Sequence, residues 1–129
     1  KFILLSPSID SVKEFCLVLK EDVKILENKW PGPTTFLLER SSDKYKYLSH
    51  LGRHAVRVSA HNPLIKLLNF FGSEIVSTSA NISGENEIKN KDDIVNFFNY
   101  EDVALFDNSL GNLKKPTKIF DLKLKKYIR

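Results

Sequence analysis

Apolar residues in this chain recur with two different periods, and this alternation limits the folds that it can form. Short apolar stretches typical of strands occur at residues 2–5, 34–38, 55–58, 74–77, 103–106, 118–122 and 126–129. A first helix is predicted after Ser8, a possible N-cap. Its apolar residues occur at helical spacing and are Ile9, Val12, Phe15, Cys16 and Leu19. Further helices are predicted through residues 23–26, from residue 62 to Gly72, and at residues 92–98. This alternation predicts an α/β domain in which helices cover a sheet.

Length and composition favour one domain over residues 1–129. A chain of 129 residues with 42% hydrophobic content can bury one core but not two. No apolar run approaches the roughly 20 residues of a membrane span, so we expect a soluble protein with no membrane partner. The single cysteine, Cys16, lies on an apolar helical stripe, which indicates a core thiol and a reducing, cytoplasmic location. Because the chain contains no methionine, we also expect that an N-terminal piece is missing.

Small polar side chains follow the strand predicted at residues 74–77. The stretch from Ile75 to Gly84 reads IVSTSANISG. Small side chains let the backbone approach a phosphate or a carboxylate closely, and the amides of a turn favour an anion. Ligands of open α/β sheets also bind where strands end. The stretch is therefore a candidate anion site, although the pattern alone is more typical of a serine-rich turn.

Other ionisable residues give weaker signals. Arg57 lies between two valines of a predicted strand, which is an unusual position for a cation. His50 and His54 are four residues apart, but Gly52 lies between them and no third ligand is evident, so we predict a surface loop and no metal site. The chain also lacks a GxSxG nucleophile motif, a P-loop and a dinucleotide fingerprint.

The basic residues are concentrated near the end of the chain. Residues 114–129 hold seven lysines and arginines against one aspartate, a net charge of +6, although the whole chain carries only +4. Such a segment can bind the phosphates of a nucleotide or of RNA. It is equally typical of a solvated strand or hairpin.

Three ordered motifs resemble the YrdC-like family of threonylcarbamoyl-AMP synthases. They are KWPGPTTFLL, RHAVRVSAHNPLIKLL and STSANISGE, beginning at Lys29, Arg53 and Ser77. The resemblance continues in FDNSLGNLKKPTKIFDL, similar to a late segment of the family, and in KYIR, similar to its closing strand. It implies a twisted mixed sheet flanked by helices, with a central positively charged cavity. The family's opening strand and the first part of its lysine-arginine motif have no counterpart here, so we expect a YrdC-like domain lacking its N-terminal region.

The resemblance also implies an activity, L-threonylcarbamoyladenylate synthesis. Such enzymes form threonylcarbamoyl-AMP and pyrophosphate from L-threonine, bicarbonate and ATP, with Mg²⁺ on the triphosphate. The product serves the threonylcarbamoyl modification of the tRNA adenosine next to the anticodon, through downstream transferase proteins. The alternative is a non-catalytic module that binds tRNA or double-stranded RNA through the basic segment.

Site residues follow from the resemblance position by position, and no covalent nucleophile is among them. Arg57 is expected to face the threonine carboxylate and to stabilise charge. The other threonine-binding residues are Ser6, Ser77 and Thr117. The ATP-binding residues are Lys1, Arg53, Ser79, Asn81 and Arg129.

Four residues depart from the family's pattern. Ser6 stands where many relatives have histidine, and Asn108 with Ser109 replaces a glycine pair. Lys118 replaces the family's late threonine, where it can add phosphate affinity or point to solvent.

Overall fold

The computed structural model describes residues 2–81, 84–98, 101, 103–113 and 115–129. The chain divides into two compact units, of which the second is Thr78–Leu110 and the first holds the remaining segments on either side of it. Strands β1 (Ile3–Leu5), β2 (Thr35–Glu39), β3 (Arg53–Arg57), β4 (Ile75–Ser77), β5 (Ile119–Asp121) and β6 (Lys126–Tyr127) lie in the first unit. So do helices α1 (Ile9–Lys13), α2 (Lys20–Glu27) and α3 (Asn62–Phe71), with a 3₁₀ turn at Lys46–Leu48. Helix α4 (Lys91–Phe97) lies in the second unit.

The six strands form one mixed sheet in the order β4-β1-β3-β2-β5-β6. Strands β1 and β3 are parallel, as are β2 and β5, whereas the other neighbouring pairs are antiparallel. This mixed sheet with helices confirms the predicted fold class. The central cavity and the organisation as a single domain stay predictions.

The core lies on one face of this sheet. Leu4, Phe36, Leu38 and Val56 alternate along β1, β2 and β3 with residues of the other face, and all four are buried in one apolar cluster. Helix-side residues complete the cluster, among them Val12, Phe15, Cys16, Leu26 and Trp30. Cys16 is 2% exposed, and burial, with a smaller effect of Glu74, raises the pKa of its thiol to about 12. The prediction that Cys16 is a core residue is therefore confirmed.

The WPGP segment enters β2 through a closely packed turn. The Trp30–Pro31 peptide bond is cis. The indole N–H of buried Trp30 donates to the Thr34 carbonyl at 2.6 Å, and the Gly32 N–H donates to the Val58 carbonyl at 2.8 Å. A Cβ atom on Gly32 would lie 2.3 Å from the Lys29 carbonyl oxygen, so only glycine fits this turn.

Helix α1 is shorter than its apolar stripe predicts. Ser8 caps it as expected, accepting a hydrogen bond from the Ser11 amide at 3.1 Å, but the helix ends at Lys13. Its continuation pairs with the end of β2 instead, since the Leu17 amide donates to the Glu39 carbonyl at 2.8 Å. The predicted helix through Leu19 was therefore wrong, because strand pairing competes with helical spacing in this segment.

Two further predictions were also wrong. Residues 103–106 form no strand, and Val103, Leu105 and Phe106 are 44–49% exposed. A strand needs a hydrogen-bonding partner, and the described residues of the second unit contain none. His54 does not lie in a surface loop but is 1% exposed on β3. Alternate residues of this strand are buried, and His54 is one of them. His50 is exposed, as predicted.

Candidate functional site

The face of the sheet opposite the core, here called the far face, carries several predicted site residues. Strand registers place Leu5 opposite both Arg57 and Ile75, and Ile3 opposite both Ala55 and Ser77. Directly opposed residues point to the same side of a sheet, and residues two apart on a strand share a face. Arg53, Arg57 and Ser77 therefore lie on the far face together, within the first unit.

Arg57 is a partly buried cation with unused hydrogen-bonding capacity. Its Nε atom is buried and has no hydrogen-bond partner among the described residues. Burial lowers the pKa of the guanidinium, which nevertheless stays charged because arginine titrates far above neutral pH. A planar donor fork of this kind matches a carboxylate or a phosphate. The geometry therefore suits Arg57 to bind an anion.

Arg53 already has an anionic partner. Its Nη1 atom donates to Oδ2 of Asp121 at 2.8 Å, and Asp121 is only 2% exposed. The other carboxylate oxygen of Asp121 accepts from the Leu124 amide at 3.0 Å. Arg53 keeps 27% of its side chain exposed, so its remaining donors can still reach a ligand. Its predicted contact with ATP stays a prediction.

Thr117 and Arg129 lie together next to a residue that the sequence did not single out. The Thr117 hydroxyl is 3.0 Å from the hydroxyl of Thr35, which is fully buried on β2. Arg129 donates from Nη2 to the Thr117 carbonyl at 3.2 Å. Thr35 belongs to the far face, because Leu37, two residues on, is opposite Ala55. Its position in the WPGPTT motif was the available signal, since a polar side chain there begins a buried strand.

Ser6 lies in a different environment, away from any open surface. It is 0% exposed, and its hydroxyl is within hydrogen-bonding distance of Glu74 Oε1 at 3.0 Å and of the Ser8 carbonyl at 3.3 Å. Glu74 also accepts from the Tyr45 hydroxyl at 2.7 Å. The ring of Tyr45 packs edge-on against core residue Phe15, with centroids 5.3 Å apart. The Ser6 hydroxyl thus belongs to a buried polar network, and sequence reasoning missed Glu74 and Tyr45.

The remaining predicted residues lie outside the first unit or outside the described residues. Ser79 is exposed in the second unit, and Asn81 donates from Nδ2 to the Glu85 carbonyl at 3.0 Å in the same unit. Lys1 lies outside the described residues. The structure therefore gathers Arg53, Arg57, Ser77, Thr117 and Arg129 in one unit, and the roles of all these residues stay predictions.

Besides the far face, the described residues form a small groove. This groove, of about 240 Å³, lies beside the start of α2 and the turn after β5, and none of the predicted site residues lines it. Among the described residues, no group of three His, Cys, Asp or Glu side chains could hold a metal ion. No helix in the described ranges has the length and apolar character needed to cross a membrane.

Comparison with solved structures supports the fold. P. abyssi Sua5, in a crystal structure described as complexed with L-threonine, matches with a TM-score of 0.81 at 24% identity. That match covers 95% of this chain and 36% of the P. abyssi chain. E. coli YciO matches with a TM-score of 0.76 at 22% identity, covering 94% of this chain and 60% of the other. At these identities the likeness shows a common fold.

Sequence comparison identifies the family. A protein of Buchnera aphidicola subsp. Acyrthosiphon pisum named threonylcarbamoyl-AMP synthase is 39% identical over 98% of this chain and 74% of its own length. The protein of the same name from Buchnera aphidicola subsp. Schizaphis graminum is 40% identical over 78% of this chain and 53% of its own length. The function predicted from the sequence agrees with the name of these enzymes. The model of the Sua5, YciO and YrdC family, described as "Telomere recombination", matches residues 1–129, and the chain therefore belongs to this family.

Proposed function

We propose that this chain is the larger part of an L-threonylcarbamoyladenylate synthase, which forms threonylcarbamoyl-AMP and pyrophosphate from L-threonine, bicarbonate and ATP. The observation that carries the proposal is Arg57, a half-buried guanidinium on the far face whose Nε atom has no partner among the described residues. An unsatisfied buried donor is costly and is relieved when an anion binds. The names of relatives that are 39% and 40% identical support the same activity.

The chemistry of the proposed reaction explains why the site needs cations. A carbamate of threonine attacks the α-phosphorus of ATP and expels pyrophosphate, so two anions approach each other and charge accumulates in the transition state. Catalysis of this kind depends on positioning and on electrostatic stabilisation, without a covalent nucleophile. Arg57 supplies one such cation for the threonine carboxylate. We further assign Ser77 and Thr117 to the threonine side, and Arg53, Arg129, Ser79, Asn81 and Lys1 to ATP.

Magnesium would reach this site on the triphosphate. Among the described residues, no group of three metal-ligating side chains occurs, and we place the metal on the nucleotide. Mg²⁺ held by the triphosphate would neutralise phosphate charge and orient the leaving pyrophosphate. The arginines of the far face contribute the remaining positive charge.

The first test measures pyrophosphate release. Because the chain spans 74% and 53% of the two Buchnera relatives, the assay uses the full-length natural protein, with ATP and Mg²⁺. Threonine and bicarbonate are omitted in turn. Release that requires both supports the synthase. Pyrophosphate release that does not depend on threonine indicates a different nucleotide enzyme. A folded protein that releases no pyrophosphate contradicts the proposal.

Arg57 is then tested by substitution. Arg57→Ala removes a charged contact to the substrate, and we expect kcat/KM for threonine to fall by about 10²- to 10³-fold, equivalent to roughly 3–4 kcal/mol. Arg57→Lys keeps the charge without the planar fork, so its loss should be intermediate. Arg40→Lys is the matched control, because Arg40 pairs with Asp43 at 3.6 Å outside the predicted site. Equal effects of the two lysine variants would argue against a specific role for Arg57.

The alternative function is RNA binding through the basic segment that ends the chain. Lys115, Lys118, Lys123, Lys125 and Lys126 are exposed, which leaves them free to meet phosphates. Lys123 is partly neutralised, since its Nζ atom lies 2.6 Å from Glu39. If the chain is such a module, its affinity for tRNA or duplex RNA should fall steeply as the salt concentration rises and should be unchanged by Arg57→Ala. Affinity absent at low salt would rule it out.

Cellular context follows from the proposed reaction. Its product is a mixed anhydride, which water hydrolyses. We therefore propose that downstream transferase proteins pass the threonylcarbamoyl group to tRNA in the cytoplasm. The tRNA adenosine next to the anticodon would be the final acceptor.

A further inference from the structure

The buried carboxylate of Glu74 joins three segments of the first unit. It lies immediately before β4, and its side chain is 2% exposed. Oε1 accepts from Ser6, at the end of β1, and Oε2 accepts from Tyr45 in the connection between β2 and β3. Lys44 lies 3.6 Å from Oε2 and also pairs with Glu14 at 2.7 Å. A buried carboxylate is tolerated only when it is satisfied in this way, so the network has a defined geometry.

Ser6 connects this network to β3. Its hydroxyl contacts Glu74, whereas its backbone amide donates to the Arg57 carbonyl at 3.0 Å. The same residue is therefore held by a side-chain contact on the β4 side and by a backbone contact on the β3 side. Any shift of the Ser6 backbone is transmitted directly to the peptide group of Arg57.

The position of the Arg57 backbone matters because the half-buried guanidinium has little room to adopt another orientation. The side chain is half-buried, and its Nε atom has no partner among the described residues. Bidentate binding of a carboxylate needs both donor atoms in the plane of the acceptor. A misplacement of about 1 Å in such a group can change a rate by about 10²-fold.

We propose that Glu74 and Ser6 are positioning residues, which fix the end of β3 so that Arg57 meets the carboxylate of the amino-acid substrate. This inference rests on the proposed function. It gives Ser6 a role that agrees with its complete burial, because the Ser6 hydroxyl acts through Arg57 and does not itself touch the substrate. It also assigns a function to Glu74, which neither composition nor motif indicated.

The test compares two variants that break the same contact. Ser6→Ala removes the hydroxyl and keeps the backbone amide, whereas Glu74→Met removes the carboxylate and keeps a side chain of similar length. We expect each to raise KM for L-threonine about tenfold, with kcat and the KM for ATP changed by less than about twofold. The double variant should be no worse than either single variant, because both act through one contact. Direct titration of L-threonine should show the same loss of affinity.

Tyr45→Phe is the matched control. It removes the hydrogen bond to the other carboxylate oxygen and leaves the contact between Ser6 and Glu74 intact, so it should lower the melting temperature without changing KM for L-threonine. The inference is overturned if either Ser6→Ala or Glu74→Met leaves this KM unchanged, or if Tyr45→Phe raises it equally. Absence of threonine binding by the unsubstituted protein would overturn the proposed function as well.

Discussion

The imidazole ring of His54 is buried on β3 in contact with the core. It meets the ring of Phe15 edge-on at a centroid distance of 5.5 Å, and neither ring nitrogen has a hydrogen-bond partner among the described residues. Burial, assisted by the charge of Arg40, lowers the pKa of His54. The folded protein therefore disfavours the protonated ring, whereas the unfolded chain accepts a proton at an ordinary pKa of about 6.5.

This residue predicts a pH dependence of stability. Above about pH 6.5 both states are neutral and His54 has no effect, while below it the unfolded chain gains a proton first, so the free energy of unfolding falls until the pH reaches the lowered folded pKa. His54→Phe should reduce this acid sensitivity and, by removing two unsatisfied polar atoms, stabilise the protein by about 1 kcal/mol. Urea unfolding between about pH 5 and pH 8 measures both effects. His50→Phe is the control. The prediction would be contradicted if the stability of His54→Phe depended on pH in the same way as that of the unsubstituted protein.

Local sequence revealed some of these residues and not others. Arg57 could be singled out as a candidate site residue from its immediate neighbours alone, because a cation between two valines of a strand is unusual. Glu74 could not, because its meaning depends on Ser6, which is 68 residues away in sequence. His54 was misjudged for a related reason, since burial on a strand depends on what covers that face.

At the scale of the elements, the WPGP turn carries a steric requirement. A Cβ atom on Gly32 would lie 2.3 Å from the backbone oxygen of Lys29, and that oxygen cannot move away as a flexible side chain would. Gly32→Ala should therefore lower the free energy of unfolding by about 3 kcal/mol, at the upper end of the usual cost of overpacking. Chemical denaturation followed by Trp30 fluorescence provides the measurement.

Gly111→Ala is the matched control for that substitution. A Cβ atom there would meet only the His61 ring at 3.6 Å, an ordinary contact, so stability should change by less than about 0.5 kcal/mol. Similar losses in both variants would show that the turn carries no special constraint.

Elements were predictable where periodicity and end signals agreed. Helix α3 ends at Phe71 and is followed by Gly72, whose φ of 75° is the left-handed conformation that glycine favours, and this stop was predicted from the residue type. The strand expected at residues 103–106 had suitable apolar residues, but the described part of its unit contains no partner strand. Pairing partners are a property of the tertiary structure, so periodicity alone overstates strands and, in α1, helices.

At the scale of the whole sheet, one buried ion pair links strands that are not neighbours. Arg53 on β3 reaches Asp121 on β5 across β2, at 2.8 Å. Asp121→Asn leaves the guanidinium without its counter-charge, and we expect a loss of about 2 kcal/mol of stability. This is less than the usual cost of breaking a buried pair, because Arg53 is 27% exposed and can be hydrated.

Glu39→Gln provides the comparison for this prediction in the same part of the sheet. Its partner Lys123 lies 2.6 Å away, but both side chains are exposed, so the change should cost less than about 0.5 kcal/mol. Thermal unfolding of the two variants in parallel distinguishes the pairs. Equal shifts in melting temperature would mean that burial does not strengthen the pair between Arg53 and Asp121.

The strand order itself was beyond the sequence signals. Alternating strands and helices predicted an α/β domain, and the motifs predicted its family. Nothing local showed that β2 lies between β3 and β5, since that contact joins Thr35 to Ile119 through long-range pairing. The far face, and with it the grouping of Arg57, Ser77 and Thr35, could be recognised only once these registers were known.

The position of β6 at one end of the sheet gives its lysines a further consequence. An end strand has free amide and carbonyl groups that could pair with a strand of another molecule and start aggregation. This strand is only two residues long, Lys126–Tyr127, and Lys125 precedes it in the left-handed conformation with φ of 49°. The short length of β6 and the like charges of Lys125 and Lys126 both disfavour the addition of a further strand. We therefore expect the lysines at this edge to disfavour self-association, whether or not a nucleic acid ever binds them.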